Sequence, residues 1–201
     1  MKKTFFCVMA IAIVTLFAGC ATTSVARVDA DTQTDLSGYW NDTDVRIVCE
    51  SLINDCLSSA RVAKFEAKND RLPVFIVGSF RNQSDEHIDT SIITKKMETA
   101  ILNSGQADFV ASKSERQELR DEREEQQGWA DEDSVKAIAN ETGADFMLTG
   151  SVKTIIDKAD GKSTRTYFVY AELTDIETGK KIWIGENSEI KKFITQSKAK
   201  L

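Results

Sequence analysis

Cys20 closes a segment arranged for export and acylation. Lys2 and Lys3 supply a positive start, Phe5–Phe17 an apolar stretch, and Ala18-Gly19 the small pair a signal peptidase requires before its cut. A thiol directly after such a pair is the acceptor of a bacterial lipoprotein signal. It takes a diacylglyceryl group, residues 1–19 are removed, and the new amino terminus is acylated. The apolar stretch is shorter than the roughly 20 residues that span a bilayer, so the expected anchor is the lipid and not a helix. Ala21, standing where an acid would retain the protein in the inner membrane, predicts outer-membrane sorting with the rest of the chain facing the periplasm.

The other reactive side chains form no catalytic constellation. His87 is the single histidine, set in a polar stretch without a nucleophile beside it. Cys49 and Cys56 are seven apart in a helical pattern, so their Cα atoms would lie about 10 Å apart, beyond the roughly 7 Å limit for a disulfide. They read as small apolar residues on one helix face, and neither has zinc-ligand spacing to a partner. The run Gly143–Ser151 resembles a phosphate loop in its glycines, but it lacks the lysine before the hydroxyl residue and has an apolar middle that reads as strand. No catalytic residue, metal or cofactor is expected, and the chain reads as a non-enzyme.

Of 26 basic and 32 acidic residues, only Lys2 and Lys3 precede Cys20, so the mature chain carries a formal charge of −8. That balance argues against a nucleic-acid or anionic-lipid surface. Residues 20–37 are small and polar, a lipidated flexible tether reaching about 60 Å when taut and about 20–25 Å as a coil. Residues 38–201 are long enough for one core.

The elements that must position any surface follow from periodicity. Asp42 or Thr43 is expected to cap a helix over 44–60, with Val45, Val48, Cys49, Leu52, Ile53, Cys56, Leu57 and Ala60 on one stripe. Val74–Gly78 reads as a strand buried on both faces, followed by a polar turn, Arg81–His87, and a helix from Thr90 to Asn103. That helix has Ile92, Ile93, Met97, Ala100 and Ile101 inward and Gly105 closing it. Ala107–Ala111 is a brief second strand. Lys113–Gln127 is a helix polar nearly all round, which lies exposed or protrudes. A further helix carries Val135, Ile138 and Ala139 and stops at Gly143. The runs 145–156, 163–174 and 180–190, divided by Asp160-Gly161 and Thr178-Gly179, predict an antiparallel three-stranded meander. The fold class is therefore α/β (α+β), a mixed sheet flanked by helices.

The lipidation signal, the opening Gly38–Asp44, the strand Pro73–Gly78 with Arg81-Asn82, the run Ala144–Val152 and the segment Leu173–Trp183 together resemble the LpoB family. These are outer-membrane lipoprotein activators of a bifunctional penicillin-binding protein. The last segment is also similar to a wider fold group, the amino-terminal domain of TolB and the curli-secretion lipoprotein CsgG. The resemblance implies function by contact: binding a class A penicillin-binding protein and regulating peptidoglycan synthesis. The rival reading is a component of a secretion or assembly machine. Its channel would need strands of 9–11 residues with a clean lipid face, which Thr164-Arg165-Thr166 and Lys180-Lys181 interrupt. A monomeric, anchored, water-soluble domain fits better. Loops on a rigid scaffold commonly carry binding, so the contact residues are sought first at Arg81, Asn82, Asp85 and His87, and second at Arg116, Arg120 and Glu124.

Overall fold

The computed structural model of the protein describes residues 23–30, 32–127 and 143–195. The chain divides into two compact units, Met1–Thr32 and Gln33–Leu201. In the first, residues 23–30 are exposed and form no helix or strand. The second holds every element below, and its contacts begin ahead of the expected boundary at Gly38. Asp35 accepts a hydrogen bond from Asn41 Nδ2 (3.0 Å) and pairs with Lys192 (2.9 Å). A polar stretch gives no periodic sign of such pinning, because its anchors are single groups distant in sequence.

Helix α1 spans Asp42–Ser58 and is capped by Asn41, one residue before the expected caps. The Asn41 side chain accepts from the Asp44 amide (3.1 Å) and the Asp44 carboxylate accepts from the Asn41 amide (3.0 Å), which satisfies two otherwise free donors reciprocally. Its stripe is buried from Val45 to Leu57, but Ala60 is exposed, because the chain turns at Ser59 and starts a second helix, α2 (Ala60–Asn69). Only Val62 of α2 is fully buried, so this helix left no apolar stripe to read.

Cys49 and Cys56 are free and buried on α1, as their spacing requires. Burial pushes both thiols up to about 12, and the thiolate is the reactive form. A chain starting at Gln33 should therefore react with a disulfide reagent at pH 8 at least about 100-fold more slowly folded than in urea. Equal rates would mean that α1 opens freely.

Strand β1 spans Val74–Gln83, α3 Thr90–Ser104, β2 Asp108–Phe109 and α4 Lys113–Gln127. After them come β3 (Phe146–Ala159), β4 (Lys162–Asp175), β5 (Lys181–Asn187) and β6 (Lys191–Thr195). The helix expected around Val135 lies outside the described residues. The sheet order is β2-β1-β3-β4-β5, with β6 also on β4. β2, β1 and β3 are parallel and the remaining pairs antiparallel, which is the expected mixed sheet. The expected third run of the meander is two strands: it breaks after Asn187, and β6 pairs with the first half of β4 while β5 pairs with the second.

The core lies between one sheet face and helices α1 and α3. Leu148, Val152, Tyr167, Val169, Ala171 and Leu173 meet Leu52, Ile53, Ile93, Met97 and Ile101 there, all nearly inaccessible. Ile92 is 52% exposed, a correction to the inward stripe expected for α3. β1 is likewise not buried on both faces: Val74, Phe75 and Phe80 are buried while Ile76 and Val77 are half-buried. Helix packing on one side accounts for this, and the opposite face carries exposed Met147, Ile155 and Ile184.

Candidate functional site

The polar stretch after the first apolar run is not one turn. β1 continues through Arg81, Asn82 and Gln83, which pair with Ser151, Val152 and Lys153 of β3. A register shift between Val77 and Phe80 interrupts the alternation, and this irregularity hid the second half of the strand. Phe80 then lies on Gly150, where an added Cβ would come within 2.3 Å of the ring.

Successive strand residues face opposite ways, so the four first-choice residues separate. Asn82 faces the helix side and is spent on the loop that follows: Nδ2 donates to Glu86 O (2.6 Å) and Oδ1 accepts from the Ser84 amide (3.0 Å). Asp85 accepts from Thr154 Oγ1 (2.7 Å) and pairs with Arg165 (2.8 Å). The Thr154 hydrogen bond, with the Arg165 pair, holds its carboxyl below the ordinary value against the opposing effect of burial. His87 is exposed, beside Tyr39 and Trp40 on a cleft of about 600 Å³. Arg81 alone joins the open sheet face.

Between them sits a residue that sequence reasoning missed. Glu86, with a side chain 7% exposed, accepts from Tyr167 Oη (2.5 Å), the Trp40 amide (2.9 Å) and Arg165 Nη1 (3.1 Å). Burial, then this hydrogen bond to Glu86, pushes the Tyr167 phenol upward. No local pattern marks Glu86, because its partners come from residues 40, 165 and 167. The group has the donors and acceptors of a structural network, each oxygen already engaged.

The second-choice residues lie on α4. Ser112 and Glu115 cap this helix reciprocally: the Ser112 amide donates to Glu115 (2.8 Å) and the Glu115 amide to Ser112 Oγ (3.3 Å). Lys95 ties the same carboxylate to α3 at 3.3 Å. Arg116 is half-buried with its Nε lacking a hydrogen bond, and Arg120 is exposed. The Glu124 side chain lies outside the described residues.

The open sheet face is the extended surface these elements present. Arg81, Thr149, Ser151, Tyr170 and Glu172 rim a hollow of about 310 Å³. Lys153 Nζ lies 5.6 Å from the centre of the Tyr170 ring, and Lys181 pairs with Glu172 at 2.6 Å. Ile184 stands opposite Glu172 in register and is 58% exposed. An exposed aromatic and aliphatic face with charges at its margin has the chemistry of a protein contact. A larger groove of about 730 Å³ runs between α3 and β1, past Phe109. Of its charged lining, Lys95 pairs with both Glu98 and Glu115, and Lys96 stands beside them. Among the described residues no cluster of His, Cys, Asp or Glu could hold a metal, and no helix is long and apolar enough to cross a membrane.

A family model described as "Peptidoglycan-synthase activator LpoB" matches residues 44–188. Among solved structures, the LpoB C-terminal domain from Escherichia coli is 20% identical with a TM-score of 0.37, over 71% of this chain and 99% of that one. The corresponding domain from Salmonella enterica is 20% identical with a TM-score of 0.35, over 67% and 93%. The lipoprotein GNA1162 from Neisseria meningitidis is 19% identical with a TM-score of 0.37, over 63% and 88%. No curated protein matches the chain.

Proposed function

This chain belongs to the LpoB family of peptidoglycan-synthase activators, and from that premise we propose that it binds a bifunctional, class A penicillin-binding protein and stimulates it by contact alone. The observation that carries the reading is the family match across residues 44–188, which takes in most of the core and the part of the open sheet face around Arg81, Tyr170 and Glu172. An activator without chemistry of its own works by holding the synthase's active conformation more tightly than its resting one. A tenfold preference shifts that equilibrium by about 1.4 kcal/mol. In this reading Cys20 carries the lipid, the anchor is in the outer membrane, and the domain faces the periplasm as a monomer.

Arg81, Tyr170 and Glu172 are the centre of the contact surface in this proposal. It supersedes the loop assignment because Asn82 and Asp85 are committed to internal hydrogen bonds. The test is capture from detergent-solubilised envelopes with the mature lipoprotein as bait, followed by glycan-synthesis rates with the captured synthase. Recovery of a class A penicillin-binding protein and faster polymerisation on mixing support the proposal. Recovery of secretion components, or a ring-sized oligomer of the bait, would assign it to an assembly machine.

A further inference from the structure

Residues 33–41 run against β4 and β6, and their attachments are almost all polar. Lys192 of β6, its side chain 8% exposed, spends its three donors on Asp35 (2.9 Å), Asp44 (2.6 Å) and the Tyr39 carbonyl (2.7 Å). The Gly38 carbonyl accepts from Arg165 Nη1 (3.1 Å) and lies 3.4 Å from Tyr167 Oη, whose proton goes to Glu86. Gly38 also passes so close to Ile194 that an added Cβ would lie 2.1 Å from its Cδ1. Leu36 and Tyr39, by contrast, are 93% and 58% exposed. The first apolar anchor is Trp40, its ring 5.1 Å from that of Tyr167, and the capped start of α1 follows at once.

Two kinds of attachment thus follow one another along the chain. A segment held by hydrogen bonds and ion pairs can leave without exposing core surface, whereas one held by a buried aromatic ring cannot. We propose that residues 33–39 form a releasable strap, which peels from β6 when tension acts on the amino end and is stopped at Trp40. This rests on the reading that the chain ahead of it is a lipid tether. Seven extended residues release about 24 Å of chain, so the domain's reach from its membrane has two settings.

The strap can be tested by pulling single molecules of the mature chain between handles on Cys20, left unacylated, and on E177C in the exposed β4–β5 turn. Buried Cys49 and Cys56 escape labelling. The expected record shows a reversible extension of about 2 nm at forces below global unfolding. Asp35→Ala should raise the open population about fivefold and leave the global unfolding force unchanged. Lys192→Met should remove the step by leaving the strap open. A chain with no step before global rupture, or a global force that falls with Asp35→Ala, would overturn the proposal by making the strap part of the core. The step needs only the folded domain, so its absence leaves the lipid anchor standing, and a failure of acylation at Cys20 leaves the step intact.

Discussion

Glu86→Ala is expected to lower the unfolding free energy by about 3 kcal/mol, read as a lower urea midpoint at unchanged slope and a melting temperature lower by about 6–12 °C. Three donors lose their acceptor together: the Tyr167 hydroxyl, the Trp40 amide and one Arg165 nitrogen. A buried donor left unpaired costs about 1–3 kcal/mol, and more when it is charged. Arg165 moderates the loss, since it keeps Asp85 and the Gly38 carbonyl. Tyr167→Phe removes one hydrogen bond and leaves the ring packed, so about 1 kcal/mol is expected. The double variant should cost less than the sum of the two, because both disrupt one network. An effect of Glu86→Ala below about 1 kcal/mol would show that the network contributes little to holding the loop on the sheet.

The second large effect concerns binding. Arg81→Glu combined with Tyr170→Ala should weaken association with the synthase by at least about 30-fold, or 2 kcal/mol, as centrally placed aromatic and arginine residues do. Both side chains stand on the open face, and neither belongs to the Glu86 network, so the melting temperature should move by only a few degrees. Arg120→Glu on α4 is the control. If it weakens binding and the sheet-face pair does not, the contact is on the acidic helix and the sheet face has another use.

The helices and strands were legible wherever the apolar period was clean. The stripes Val45–Leu57 and Ile93–Met97–Ile101 follow the helical spacing, and β3 and β4 alternate about a glycine-containing turn at Asp160-Gly161. Reading failed where the period was broken or absent. The shift at Gly78-Ser79 cut β1 in half, and α2 is too polar to leave a stripe. The split between β5 and β6 is set by which half of β4 each covers, a tertiary matter. The candidate surface was less legible than the fold. Polarity set 81–87 apart, yet it could not separate Asn82 and Asp85, whose side chains are spent on internal hydrogen bonds, from Arg81 on the open sheet face. Glu86 was invisible because its partners lie 46 to 81 residues away.

The position of Lys192 also governs when the domain can close. Asp44 is near the start of α1 and Lys192 near the start of the last strand, β6, and each is buried against the other. During synthesis the chain emerges amino end first. Asp44 therefore lacks its counter-charge, and the Tyr167 and Arg165 partners of Glu86 are also missing, until most of the domain has been made. Parallel pairing of β1 with β3 waits in the same way for residues beyond 146, since contacts distant in sequence cannot form before their loop is complete. The domain therefore closes late, when nearly its whole length is available, and its first helix waits for its last strand.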